Sequence, residues 1–244
     1  VGVDLRGELR RWLRQRLEVG ERELLVAKPA ALRATAGATL GPSVRMAAQP
    51  APAPAATSDS MAQVAAEIRA CTRCRLHATR NKAVPGVGPD DADLVLIGEG
   101  PGGEEDLQGE PFVGAAGQLL NKILAAVNLR RQDVFITNIV KCRPPANRDP
   151  QPDEVAACEP YLKRQLALLE PKVICALGRH AGSWLNGAPE SMASLRTGER
   201  WYAGIRVFPT YHPAALLRNP QWKRPVWEDI QKVRAEYDRQ RDGA

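Results

Sequence analysis

Apolar positions in this chain follow two rhythms. Short continuous apolar runs end in glycine or asparagine: Asp93-Leu94-Val95-Leu96-Ile97 before Gly98, Val134-Phe135-Ile136-Thr137-Asn138, and Lys172-Val173-Ile174-Cys175-Ala176-Leu177 before Gly178. Runs of this kind predict strands buried on both faces. Between them, apolar residues recur at helical spacing. Leu119, Leu120, Ile123, Leu124 and Val127 mark a helix over 114–129. A second is predicted over 153–169, with Pro152 just before it and Asp153 as its cap. A short helix is expected over 179–185, and a last one over 225–238 with Pro225 in its first turn. Trp201-Tyr202 and Ile205-Arg206-Val207-Phe208 flank Ala203-Gly204 and read as a hairpin or paired strands. Strands alternating with helices predict an α/β fold, a three-layer αβα sandwich on a mainly parallel sheet of about four strands. Sites in such folds lie beyond the carboxyl ends of the strands. Those ends carry Gly98-Glu99-Gly100-Pro101-Gly102, Asn138, Gly178 and Tyr211-His212-Pro213.

The first 60 residues are different. Val3, Leu5, Leu9, Leu13 and Leu17 predict a short amphipathic helix within 1–27. Residues 28–60 read as a Pro/Ala-rich linker; segment 41–60 holds four prolines and six alanines. Such a stretch is too poor in large apolar groups to build a core. The globular domain is therefore placed at 61–244. The 34 basic and 28 acidic residues leave a net charge of +6, which excludes a histone-like polycation and suits an anionic partner. No apolar run approaches the roughly 20 residues that span a bilayer. Arg10, Arg11, Arg14 and Arg16 interrupt any apolar leader, so a secretory signal is not expected. An odd count of five cysteines points to a reducing, cytoplasmic setting and to metal or redox use.

Cys71-x-x-Cys74 is followed by Cys142 and, after 15 intervening residues, by Cys158. This spacing leaves zinc and an iron–sulfur cluster equally open. Cys175, mid-strand, reads as core. The turn Gly98–Gly103 invites a dinucleotide reading. Pro101 interrupts that pattern, however, and the next helix is predicted about a dozen residues later, so the turn reads as a close backbone approach to a flat ligand. Glu104, Glu105 and Asp106 read as a solvated loop or helix start. Phe112 is a lone aromatic in a glycine-bracketed stretch expected to be mobile. Of the three histidines, His77 is expected at the surface, and His180 as a cap or structural residue. His212 is balanced between function and structure. Lys141, Arg143 and Arg148, with Arg218, Lys223 and Arg224, are placed at one sheet end as candidate phosphate contacts; the plain alternative is solvated charge.

Together these segments carry a resemblance. Gly98-Glu99-Gly100-Pro101-Gly102, Gly109-Glu110-Pro111-Phe112-Val113-Gly114 and Gly117-Gln118-Leu119-Leu120 resemble the first motif of the family 4 uracil-DNA glycosylases. Thr137-Asn138-Ile139-Val140-Lys141-Cys142-Arg143-Pro144-Pro145 resembles the second. Leu177-Gly178-Arg179-His180-Ala181 and Tyr211-His212-Pro213-Ala214-Ala215-Leu216-Leu217 resemble the third and fourth. The resemblance covers roughly residues 61–240.

It implies hydrolysis of the N-glycosidic bond of deoxyuridine in single- or double-stranded DNA, leaving an abasic site. It implies that Phe112 stacks on the flipped uracil and that Asn138 pairs with O4 and N3–H. Glu105 would crowd C5 against thymine's methyl. His212 would donate to O2, with backbone N–H groups near Glu99 and Gly100, and Gly98 would let the base approach. Where better-known uracil glycosylases have an aspartate before the proline of the first motif, this chain has Gly100; either Glu99 takes a limited water-positioning role, the favoured reading, or water attacks an oxocarbenium-like sugar with little base assistance. Leu216 and Leu217 would wedge into the duplex, and Arg143 and Arg218 would meet phosphates. Cys71, Cys74, Cys142 and Cys158 match the family's 4Fe–4S ligands, with zinc as the alternative, and the cluster is expected to be structural. A crosslinking relative carries a histidine-bearing insertion after the second motif. Residues 143–148 hold no histidine, so turnover without a covalent trap is expected. The protein is expected to be a monomer. A replisome or sliding-clamp contact through residues 1–60 has no specific support. The competing classes are a non-catalytic iron–sulfur or zinc nucleic-acid-binding module associated with a polymerase, and a metal-dependent nucleotide-processing enzyme.

Overall fold

A computed structural model describes residues 59–242. The helix expected within 1–27 and nearly all of the 28–60 segment lie outside the described residues. The first helix, α1 (Met61–Ala70), opens at Ser60, whose side chain accepts from the Gln63 N–H at 3.2 Å. This is ordinary N-capping. Val64 and Ile68, four apart, bury its inner face.

Five strands form one sheet: β1 (Leu94–Gly98), β2 (Phe135–Asn138), β3 (Val173–Leu177), β4 (Arg200–Tyr202) and β5 (Ile205–Thr210), in the order β2-β1-β3-β5-β4. All neighbours are parallel except β4, which runs antiparallel to β5. Five strands stand where about four were expected, and the hairpin expected around Ala203-Gly204 is the β4–β5 pair. β4 is three residues long and half-exposed at the edge, where a short strand limits pairing with other chains. β1 and β3 are buried along their whole length, so neither face shows the polar alternation of a half-solvated sheet. Side-chain direction still alternates. Val95, Ile97, Ile174 and Ala176 face a core layer shared with α1, α4 (Pro152–Leu169) and α5 (Arg179–Asn186). Leu94, Leu96, Val173 and Cys175 face the opposite layer, with α3 (Ala115–Ala126) and α8 (Lys223–Asp242). This is the three-layer sandwich. Cys175 sits in it as core, its thiol pushed up to about 12 by burial.

Three local expectations are corrected. A short helix, α2 (Gly103–Gln108), starts directly after the glycine turn, not a dozen residues later. Three acidic residues in its first turn suit the positive end of the helix dipole. Asp106 among them is buried, accepting from the Asn81 backbone N–H at 2.9 Å. The cap of α4 is Gln151, not Asp153; the Gln151 N–H donates to the Glu154 carboxylate at 2.8 Å. Two further short helices, α6 (Met192–Leu195) and α7 (Pro213–Arg218), flank the hairpin.

Candidate active site

The parallel strands deliver β1, β2 and β5 to one end of the sheet, where a cleft of about 350 Å³ opens. Asn138, the last residue of β2, pairs in register with Gly98, the last of β1. Its side chain is buried and its Oδ1 has no hydrogen-bond partner. A buried polar atom left unpaired in this way calls for an explanation, because it costs free energy in the folded state. Gly98 makes the arrangement possible. A Cβ there would lie 2.7 Å from Phe112 Cζ and closer still to Asn138 Oδ1.

Phe112 sits in a loop with defined contacts. Its backbone is left-handed at φ 53°, and it is held from three directions. Arg131 donates to the Phe112 carbonyl at 3.0 Å and also to the Pro111 carbonyl. Glu105 Oε1 accepts from the Val113 and Gly114 N–H groups, each at 2.9 Å. Gly117 passes directly beneath the Phe112 carbonyl, where any side chain would collide. The Phe112 ring lies 5.4 Å from the His212 imidazole, centroid to centroid.

His212 caps α7. Its Nδ1 accepts from the Ala214 N–H at 3.1 Å, so the neutral ring carries its proton on Nε2. Burial lowers its pKa to about 4, with Glu99 pulling the other way. The preceding residues are fixed firmly. Thr210 Oγ1 donates to buried Asp229 at 2.8 Å, Arg196 pairs with the same carboxylate at 2.6 Å, and Tyr211 stacks on Trp222 at 4.6 Å. Glu99, Gly100 and Glu105 line the cleft. His180, expected to be structural, is bonded through Nδ1 to the Glu99 carboxylate. His77 is exposed.

Cys71, Cys74, Cys142 and Cys158 converge around one small cavity beside the cleft wall. The α1 helix brings Cys71 there, and Arg164 of α4 pairs with Glu67 of α1 at 2.5 Å and with Asp59 just ahead of that helix at 2.8 Å. N–H groups already point at the sulfurs: Arg80 Nη1 to Cys142 Sγ at 2.9 Å, and the Lys141 backbone N–H to Cys158 Sγ at 3.2 Å. Four cysteine sulfurs lining one cavity make a four-thiolate donor set, which suits an iron–sulfur cluster or a zinc ion.

Residues 85–231 match the family model of the uracil DNA glycosylase superfamily, more than half of the chain. The chain belongs to the uracil-DNA glycosylase superfamily. It is similar to the type-4 uracil-DNA glycosylase of Archaeoglobus fulgidus, with 45% identity over 72% of this chain and 92% of that protein. The type-4 enzyme of Saccharolobus solfataricus is 47% identical over 72% of this chain and 86% of its own length. That of Thermotoga maritima is 44% identical over 73% and 96%.

In this superfamily member, several expected surface contacts are rearranged. Lys141 is no phosphate contact: it is buried, its Nζ donating to Thr137 Oγ1 (2.6 Å), the Asn138 carbonyl (2.8 Å) and Gln165 Oε1 (2.6 Å). Burial lowers its pKa to about 7. It anchors Asn138 from behind. Arg148 is engaged with Glu154 at 2.6 Å, and Arg143 Nε bonds Asn147 Oδ1 at 2.8 Å. Arg218 stands exposed at the cleft edge. Leu216 cannot act as a wedge, because it is 2% exposed, whereas Leu217 is 52% exposed. Leu216→Ala is accordingly expected to lower stability by about 2–5 kcal/mol. Leu217→Ala should leave the melting temperature unchanged and lower activity more on duplex than on single strands. Equal losses on both would show that Leu217 has no wedge role.

Proposed function

We propose that the chain is a DNA-repair hydrolase that removes uracil from DNA, single- or double-stranded, cutting the N-glycosidic bond and leaving an abasic site for base excision repair. The observation that carries this reading is the unpaired, buried Oδ1 of Asn138 beside the Phe112 ring. A flipped uracil would supply the missing partner: O4 accepts from the amide N–H₂, and N3–H donates to Oδ1. Cytosine presents the opposite pattern and is refused. Phe112 stacks on the ring. Glu105, whose Oε1 holds the loop, stands against C5 and excludes a methyl group. His212 donates from Nε2 to O2 as negative charge builds there; one such donor is worth about 3–4 kcal/mol. Glu99 orients the attacking water, and Gly100 lets the base pass close to the backbone. Leu217 fills the gap in the duplex, while Arg143 and Arg218 meet the phosphate backbone.

Cys71, Cys74, Cys142 and Cys158 would hold a 4Fe–4S cluster. When bound, the cluster supplies a covalent cross-link among α1, the loop after Asn138, and α4. Cys142→Ala is therefore expected to lose visible absorbance and to melt well below the parent. A colourless variant that is fully folded and active would remove the structural role. The polymerase-associated binding module is not favoured, since binding alone has no use for an amide, an aromatic ring and a neutral histidine in one cleft. No helix among the described residues is long and apolar enough to cross a membrane.

The test is a labelled oligonucleotide with one uracil, opposite guanine or single-stranded, incubated with protein and chelator and then treated with alkali. Cleavage at uracil, and not at thymine or cytosine, is expected. No cleavage by a folded preparation would overturn the proposal.

A further inference from the structure

We infer that His180 is a positioning residue for base excision: clamped between Glu99 and Asp149, it fixes the Glu99 carboxylate at the cleft wall and ties the 143–149 loop to it. The inference rests on the proposed role of Glu99. His180 Nδ1 bonds Glu99 Oε2, and its Nε2 lies 3.1 Å from Asp149 Oδ2. Ionised carboxylates only accept. Nδ1 therefore donates to Glu99, while Nε2 lies between the Asp149 carboxylate and the donor-only Arg179 Nη2, and only an imidazolium could donate to both carboxylates.

The charged groups facing it come from three elements. Glu99 extends from the end of β1, Asp149 from the loop before α4, and Arg179 from the start of His180's own helix. Arg179 Nη2 lies 3.0 Å from His180 Nε2 and 3.6 Å from Asp149. The bond to Glu99 is the largest influence and raises the His180 pKa, with Asp149 assisting and desolvation and Arg179 opposing. The two histidines nearest the cleft are shifted in opposite directions: burial lowers His212, and the bond to Glu99 raises His180. With Oε2 tied to His180, Glu99 keeps its other oxygen for a water. Without the tie, the carboxylate rotates freely, and misplacement of about 1 Å can cost on the order of 100-fold in rate.

The sign of the pH dependence follows. The clamp is intact below the raised pKa of His180. As pH climbs through that value the ring keeps a single N–H, so it can serve only one of the two carboxylates.

Ring-proton NMR across pH, with His180 assigned by its loss in His180→Gln, is expected to show a midpoint above about 6.5. Asp149→Asn should move that midpoint down. A midpoint at or below the ordinary value, indifferent to Asp149→Asn, would overturn the clamp without reference to activity. Single-turnover excision from a uracil oligonucleotide gives the second readout. His180→Gln is expected to lower the rate about 10-fold or more, with half-saturating protein concentration unchanged, and to abolish the alkaline decline. In Asp149→Asn that decline should shift to lower pH. The double variant Glu99→Gln/His180→Gln should be no slower than Glu99→Gln alone. If Glu99→Gln matches the parent, the role of Glu99 falls and the clamp with it. If Glu99→Gln is impaired while His180→Gln keeps the parental rate and pH profile, the clamp alone is wrong.

Discussion

Asn138→Ala is expected to lower single-turnover uracil excision by about 10²–10³-fold, a loss of about 3–4 kcal/mol of transition-state stabilisation, without lowering the melting temperature. The two halves of this expectation have the same origin. In the free protein, Asn138 Oδ1 is buried without a partner, a penalty of about 1–3 kcal/mol. Alanine removes that penalty. The space it vacates opens on the cleft, so water can enter and no sealed void forms. The backbone stays anchored, because Lys141 Nζ binds the Asn138 carbonyl and not its side chain. Stability is therefore held or gained while activity collapses, as expected where a fold carries a polar group for its ligand. Asn138→Asp sharpens the point. It keeps an acceptor for N3–H but loses the donor for O4, and should shift relative preference from uracil toward cytosine. A thermal melt and rates on matched uracil and cytosine oligonucleotides decide the matter. An Asn138→Ala protein that melts early, or that excises uracil at the parental rate, would make this amide structural.

The α/β alternation was legible because the strands are continuous apolar runs and the helices keep a clean period. So was the edge pair, since Trp201-Tyr202 and Ile205-Arg206-Val207-Phe208 around Ala203-Gly204 read as paired strands and form the antiparallel β4–β5 pair. α2 was hidden: six residues beginning with glycine and three acids look like loop until Gly109 stops them at φ 84°. The cleft residues were legible as motifs at strand ends, but their supporting partners were not. Lys141 reads as a surface cation, because its acceptors, Thr137 and Gln165, converge only when β2 and α4 pack together. His180 reads as a helix cap, and its partners lie 81 residues away at Glu99 and in a loop at Asp149. Leu216 and Leu217 are adjacent apolar residues on a short helix, and only its docking decides which one faces water. Sequence spacing identifies residues that must be present; long-range packing decides which of them remain free to act.

His212 carries two duties that substitutions can separate. It caps α7 through Nδ1 and leaves Nε2–H as the donor. His212→Ala removes both and is expected to cost about 10²–10³-fold in rate, together with about 1 kcal/mol of stability for the lost cap. His212→Asn restores a good cap, because asparagine accepts from the following N–H groups equally well. Its side chain is too short to reach where the imidazole Nε2 stood. The melting temperature should therefore recover and the rate should not. The pH behaviour is fixed by the same burial. With a pKa near 4, the ring is neutral from about pH 5 upward, so His212 contributes no change in rate through the neutral range. The unfolded chain binds a proton at this residue below about 6.5, while the folded one resists until about 4. Between those values the unfolded state holds more protons, so stability falls as pH falls. Below about 4 the ring protonates at Nδ1, and the cap to Ala214 is lost as well. His212→Asn lacks this titration, and its melting temperature should decline less than the parent's between pH 6.5 and 4. A variant that caps, melts like the parent at neutral pH and still excises uracil at full rate would show that the oxyanion is stabilised elsewhere, by the backbone near Glu99 and Gly100.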